Sequence, residues 1–201
     1  PEELSESCDV QAGDKVIVGV SGGSDSLALL LTLKELGVDG FAAHFDHRLR
    51  EESEADAAWI REFCTEREIP VAIAVGNVRE AAEKFGKSIE DTARHLRYHF
   101  LFTLAARERA AAVAVAHHAD DQVETVLMNI LRGTGIDGLS GMQSRRCLKE
   151  FSDKIPLIRP FLTTKRDVIA AWLEKQEIRP LMDSSNNDLT YTRNRVRHEL
   201  I

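Results

Sequence analysis

A chain of 201 residues, 43% apolar and 29% charged, is long enough for one α/β domain with a proper core, and no apolar run in it approaches the length of a membrane span. The acidic start Pro1-Glu2-Glu3 is not a signal peptide, so a cytoplasmic protein is expected; three scattered cysteines, Cys8, Cys64 and Cys147, with no C-x-x-C pair, argue against a disulfide framework, a zinc site or an iron–sulfur cluster. The net charge of −7 speaks on its face against nucleic acid as a partner.

In chain order, the first element is the run 15–20 (KVIVGV), continuous and β-branched as in a strand buried on both faces. It leads into Ser21-Gly22-Gly23-Ser24-Asp25-Ser26 and then the helix-like run 27–31 (LALLL), with Ser24 or Asp25 as the expected cap. Strand, tight turn and helix together aim free N–H groups and a positive helix end above the sheet, which suits an anion. Gly22 and Gly23 are expected at positive φ, where the backbone approaches a phosphate with no Cβ in the way. The hydroxyls of Ser21, Ser24 and Ser26 add donors, and the carboxylate of Asp25 can hold a Mg²⁺ shared with phosphates. Neither the lysine-bearing phosphate loop of kinase-type nucleotide binders nor G-x-G-x-x-G is present. An ordinary Ser/Gly turn capping a helix satisfies the same backbone groups, and the residues alone leave that reading open.

Residues 39–45 read as a second strand, delivering His44, Asp46, His47 and Arg48 at its carboxyl end, where open α/β sheets place ligands. A helix over 53–68 with Ala57, Ile60, Phe63 and Cys64 inward precedes a short strand, 71–75. Residues 78–85 form an amphipathic turn closed by Gly86. Ser88 and Asp91 have capping-box spacing for the next helix, whose expected apolar stripe is Ile89, Ala93, Leu96, Phe100 and Leu104, with Arg94, Arg97 and Tyr98 on another face. A small-residue strand, 112–116, delivers His117, His118, Asp120 and Asp121; the two aspartates are expected to cap a helix through Leu131, and with Glu124 they put acids on nearly one face. Like charges so close imply a cationic ligand or a metal. Residues 132–142 are a glycine-rich loop, 154–162 an edge strand interrupted by Pro156 and Pro160, and 165–175 a helix capped by Thr163 or Thr164 with Val168, Ile169, Trp172 and Leu173 inward.

The average charge hides an asymmetry. Residues 1–90 carry 9 basic and 19 acidic side chains, whereas 91–201 carry 17 and 14, with clusters at Arg145-Arg146, Lys165-Arg166 and 193–197. A basic face on an acidic protein can still hold a phosphate backbone, and the polar-then-basic end with Tyr191 suits RNA.

Taken in order, SGGSDS at 21–26, HFDHRLR at 44–50, SIEDTARHLRY at 88–98, HHADDQVETVLMNILRGTG at 117–135, GLSGM at 138–142, IRPFL at 158–162 and DSSNNDLTYTRNRVRH at 183–198 resemble the tRNA(Ile)-lysidine synthetase family of PP-loop ATP pyrophosphatases. Phe45 and Arg48 stand where many members have Val and Gly, and Ala116 where Gly is usual.

The resemblance implies a Rossmann-like parallel sheet flanked by helices, with a catalytic domain over 1–150 and an extension over 151–201 that ends in a tRNA-contacting basic tail. Further tRNA-binding domains of many relatives are expected to be absent. It also implies a ligase using ATP and Mg²⁺ to adenylate the wobble cytidine of a tRNA(Ile) with a CAU anticodon, after which L-lysine displaces AMP. Residues 21–26 would bind ATP, with Mg²⁺ on Asp25; Asp121 and Glu124 would bind lysine, one of them as base; His117 and Arg94 would meet the α phosphate or activated cytidine; Arg132, Arg193, Asn194, Arg195 and Arg197 would hold tRNA. No membrane partner is expected, and a homodimer is left open. The alternatives are a tRNA cytidine thiolase of the same fold, a dinuclear-metal phosphohydrolase built on His44, Asp46, His47, His117, His118, Asp120 and Asp121, and a non-catalytic nucleotide sensor.

Overall fold

The computed structural model describes residues 2–50, 52–135 and 139–181. Its element order is α1 (Glu2–Glu6), β1 (Lys15–Gly19), α2 (Ser24–Glu35), β2 (Asp39–Asp46), α3 (Ser53–Glu66), β3 (Val71–Val75), α4 (Val78–Phe85), α5 (Ile89–Glu108), β4 (Ala112–Ala114), α6 (Ala119–Leu131), β5 (Arg145–Arg146), β6 (Leu157–Ile158) and α7 (Arg166–Lys175). The six strands make one sheet in the order β3-β2-β1-β4-β6-β5, parallel except for the β5–β6 pair.

Strand β1 shows why a continuous apolar run was needed. Val16 and Val18 face a core shared with Leu27 and Leu30 of α2, Ile60 of α3 and Ile169 of α7. Ile17, one residue out of phase, faces the opposite core with Leu101 and Leu104 of α5. A strand with helices on both faces has no solvent side, so the period-2 alternation disappears. Each parallel crossover carries a helix, which leaves the carboxyl ends of β1, β2 and β4 side by side at one rim.

Several local expectations change in three dimensions. The segment around 154–162 does not make an edge: β6 is two buried residues paired to β4 on one side and β5 on the other, and the carbonyl of Pro156 accepts from Val113 N–H at 2.9 Å. Proline is tolerated there because it contributes only its acceptor. Helix α5 buries Tyr98, Leu101, Phe102, Leu104 and Ala105, whereas Ile89 is exposed; Tyr98 is a core residue whose ring still lies against Arg94 and Arg97, as their spacing predicts. In α7 Ile169 and Leu173 are buried and Val168 is exposed. Neither Thr163 nor Thr164 caps α7: its N-cap is Lys165, and the first-turn amide of Arg166 donates to Asp120 Oδ2 of α6 at 2.9 Å. That donation, with His118 nearby, holds the Asp120 carboxyl below its ordinary pKa. Ser88 is the N-cap of α5, its Oγ accepting from Asp91 N–H at 3.0 Å and donating to Asp91 Oδ2 at 2.7 Å, which is the side-chain half of the expected capping box, and Ala57, Ile60, Phe63 and Cys64 of α3 are all buried.

Candidate active site

The glycine-rich hexapeptide spans the gap between β1 and α2. The N-cap of α2 is Gly23, at φ −74°, so Ser24 and Asp25 lie in the first helical turn and do not cap it. Of the two glycines only Gly22 takes a positive φ, 85°. The loop's hydroxyls are spent on one another: Ser21 N–H donates to Ser26 Oγ at 3.1 Å, Gly23 N–H to Ser21 Oγ at 3.3 Å, and Ser26 Oγ–H to the Gly23 carbonyl at 3.0 Å. This lattice fixes the turn, while the first-turn amides of α2 have no intrahelical acceptors and face the rim.

Residues after α7 return to the loop. Leu181 N–H donates to the Gly22 carbonyl at 3.0 Å, and a Cβ on Gly22 would stand 2.5 Å from Leu181 Cδ1. Gly22→Ala is therefore expected to destabilise the fold by about 2 kcal/mol, combining left-handed strain and overpacking, and to weaken nucleotide binding. Urea unfolding of Gly22→Ala and of Gly22→Ala/Leu181→Ala checks this: the second change relieves only the steric share.

At the end of β2, His44 is buried and its Nδ1 lies 2.8 Å from the Val20 carbonyl, which ties this strand end to the start of the loop. Asp46 Oδ1 accepts from Arg48 N–H at 2.8 Å. His47 packs on Phe45, with ring centroids 4.9 Å apart, and its Nδ1 is buried without a partner among the described residues. Burial, then the positive charges of Arg97 and His44, against Asp46, lower its pKa from 6.5 to about 4. Between those values the unfolded chain binds a proton that the folded chain refuses, so stability rises with pH there and is lost as pH falls from 6.5 towards 4. The loss is expected to be about 1–2 kcal/mol after allowance for partial exposure, and His47→Gln is expected to remove it. Urea midpoints at neutral and mildly acidic pH for the two proteins give the comparison.

At the end of β4 the expected caps are replaced by a histidine. His118 is the N-cap of α6: its Nδ1 accepts from Asp121 N–H at 3.4 Å, and Asp121 Oδ2 accepts from His118 N–H at 3.0 Å, a reciprocal capping box. The His118 ring, 3% exposed, also stands 3.8 Å from Asp25 Oδ2 and 3.4 Å from Asp121 Oδ2 through Nε2. It thus clasps the hexapeptide's carboxylate to α6. Asp121 and Glu124 are the only buried side chains of α6, whereas Val123, Ile130 and Leu131 are exposed. The helix is inverted, with acids towards the fold and aliphatics outward. Asp120 points away from this pair to α7. Gln122 clamps the glycine-rich loop from both sides, its amide donating to the Met142 carbonyl at 2.9 Å and accepting from Met142 N–H at 2.7 Å.

His117 meets Arg159, which follows β6 and had no role in the sequence reading: Arg159 Nε donates to His117 Nδ1 at 3.1 Å. Arg159 is buried, and burial lowers its pKa, with Arg94 and Arg146 adding to that and Tyr98 opposing it. A lone arginine between Ile158 and Pro160 in an apolar stretch was the available signal, since a buried guanidinium needs fixed acceptors. Arg94 is exposed and stacks over Tyr98 at 4.8 Å, close enough to act on Arg159, so Arg94 and His117 do share one neighbourhood. Arg97 turns inward: its Nε is buried without a well-formed hydrogen bond, the guanidinium 5.5 Å over the Tyr98 ring.

The remaining expected residues are elsewhere. Arg132 is the exposed C-cap of α6, about 20 Å along the helix from the His118 end. Arg193, Asn194, Arg195 and Arg197 lie outside the described residues. Among the described residues no three His, Cys, Asp or Glu side chains are arranged to hold a metal, which leaves the dinuclear phosphohydrolase without its ligand set. Asp25 does fit a single Mg²⁺ that keeps several waters, because its partly exposed carboxylate is engaged only lightly, by Ser24 Oγ–H at 3.3 Å and by His118.

The comparisons with known proteins agree with this geometry. The PP-loop domain family matches residues 2–201. A tRNA(Ile)-lysidine synthase of Porphyromonas gingivalis is 45% identical over 192 residues, covering 94% of this chain and 40% of the relative. One from Thermotoga maritima is 37% identical over 196 residues, 96% of this chain and 45% of the relative. The chain therefore spans less than half the length of these curated relatives. Among solved structures, the U34-tRNA thiolase NcsA from Methanococcus maripaludis with its 4Fe–4S cluster has a TM-score of 0.72 at 21% identity, covering 90% of this chain and 64% of that one. NMN synthetase from Francisella tularensis gives 0.57 at 16%, covering 88% and 66%. At such identities the likeness is one of fold. With a family match over nearly its whole length and a parallel sheet opening on the SGGSDS turn, the chain belongs to the PP-loop domain family.

Proposed function

We propose that this chain is the catalytic part of a tRNA(Ile)-lysidine synthetase. The observation that carries the reading is the junction of the β1 and β4 ends, where the amide-lined turn with Asp25 meets His118 and the buried Asp121 and Glu124 of α6. An anion site beside an acid site is what a reaction joining a triphosphate to an amine requires. Relatives bearing the name tRNA(Ile)-lysidine synthase, at 45% and 37% identity over almost all of this chain, support the same assignment.

In this reading ATP lies with its β and γ phosphates on the amides of residues 21–26. The cytidine O2 attacks the α phosphorus, and pyrophosphate leaves with its charge spread over the helix α2 N-terminus. Asp25 would hold Mg²⁺, which when bound would supply charge neutralisation for the departing phosphates. His117 and Arg94 stabilise charge on the α phosphoryl group or the activated base. Asp121 and Glu124 receive the lysine ε-ammonium, one of them takes its proton, the amine adds to C2 and AMP departs. The basic residues 193–197 and Arg132 hold tRNA phosphates, making binding steeply salt-dependent. All of this chemistry belongs to the cytoplasm, where tRNA and ATP are available, and among the described residues no helix is long and apolar enough to cross a membrane.

The test is incubation of the chain with labelled lysine, ATP and tRNA(Ile) bearing CAU. Incorporation only when all three are present establishes the reaction; ATP binding without lysine transfer to RNA removes it. The thiolase alternative gains nothing from the structure: Cys8 and Cys64 are buried apart from the rim residues and Cys147 is exposed.

A further inference from the structure

Arg159 is 5% exposed and anchored at three points. Its backbone N–H donates to the Ser144 carbonyl at 2.8 Å, its Nη1 to the Gln143 carbonyl at 2.7 Å and its Nε to His117 Nδ1 at 3.1 Å. A guanidinium has five donors and no acceptor, and it does not lose its proton. The nitrogen facing it must therefore offer a lone pair. A neutral imidazole with its lone pair on Nδ1 carries its proton on Nε2.

We infer that Arg159 is a positioning residue that locks His117 in the Nε2–H tautomer, so that His117 serves the site as a hydrogen-bond donor and is barred from acting as its base. Taking a proton would leave His117 with N–H groups at both nitrogens, one of them pressed against Arg159 Nε–H, and would add a positive charge where Arg94 and Arg146 already act on the same guanidinium.

This deepens the proposed reaction and rests on it for the ligand: the donor would face an oxygen that gains charge, on the α phosphoryl group or the cytidine. It also narrows the search for the base that deprotonates lysine to the acids of α6. The lock answers a physical need, since a free histidine divides its proton between two nitrogens and spends part of its time offering a lone pair to an oxyanion.

The experiment is long-range ¹⁵N–¹H spectroscopy of the full chain labelled at histidine, with His117 assigned by His117→Gln, in parallel with pyrophosphate release. In the unsubstituted protein Nδ1 is expected to show the unprotonated signature and Nε2 the protonated one, unchanged through mildly acidic pH. In Arg159→Met the two signals are expected to average and titrate, and kcat to fall about 100-fold, with a smaller effect on the KM for ATP. Arg159→Lys, which keeps a donor-only cation, is expected to restore part of both. A proton on Nδ1 in the unsubstituted protein, or an unaltered tautomer in a folded Arg159→Met, overturns the inference. Should Arg159→Met not fold, the unsubstituted spectrum decides alone. A correct tautomer in a chain that never joins lysine to tRNA supports the lock and removes only the proposed reaction.

Discussion

Asp25→Ala is expected to slow pyrophosphate release by about 1,000-fold while leaving the thermal unfolding temperature almost unchanged. The two halves of that expectation come from one geometry. Helix α2 is capped at Gly23 by backbone geometry, with no side-chain cap, so Asp25 does not hold the helix in place. The turn is held by the Ser21, Gly23 and Ser26 bonds and by Leu181, none of which involves the Asp25 side chain, and the contact of that side chain with His118 Nε2, at 3.8 Å, is too long for a hydrogen bond. What the carboxylate does contribute is negative charge at the mouth of an otherwise anion-seeking loop, an arrangement that hinders phosphate binding unless a cation comes between. Asp25→Asn separates the possibilities. If the carboxylate holds a cation, the amide is nearly as inactive as alanine; if it only accepts the Ser24 hydroxyl, the amide restores activity. Stopped assays of pyrophosphate release with ATP and tRNA, alongside thermal melts, read both, and undiminished release by Asp25→Ala takes this residue out of the mechanism.

The legible parts of the fold were those set by local pattern. The unbroken β1 run, the SGGSDS turn and the inward face of α3 could be read directly because burial on both faces, a tight turn and 3.6-residue spacing each leave a local trace. Two helix starts differ from the local expectation, for different reasons. His118 caps α6 through a reciprocal bond with Asp121 three residues on, an imidazole in a place usually held by Ser, Thr, Asp or Asn, and the first-turn amide of α7 donates to Asp120, 46 positions back, which spacing cannot show. The prolines flanking β6 point to an edge, since nothing local reveals that β5 covers its far side. Arg48 is a different case: it adopts φ +50°, the left-handed region that Gly enters without strain and that no local pattern announces. Arg159 escaped notice because its partner His117 is 42 positions away.

Glu124→Gln is expected to reduce lysine incorporation at least about 100-fold while sparing tRNA-dependent pyrophosphate release. The argument begins from the inverted helix. Folding alone favours burying Val123, Ile130 and Leu131 of α6, yet the buried side chains are Asp121 at 9% and Glu124 at 1% exposure. Covering a carboxylate costs several kcal/mol unless polar partners compensate, and in the proposed reaction the lysine ammonium is one such partner. Asp121 is the poorer probe, because its carboxylate also accepts from His118 N–H, and losing that capping bond costs about 1 kcal/mol in its own right. Glutamine at 124 keeps the volume and most hydrogen-bonding capacity while deleting the charge, so packing survives and only the grip on an ammonium weakens. Separate assays of the two half-reactions then discriminate: a structural glutamate predicts both activities falling together with stability, a lysine-binding one predicts adenylation intact and transfer lost. Transfer at full rate in a stable Glu124→Gln protein would leave the amine to Asp121 alone.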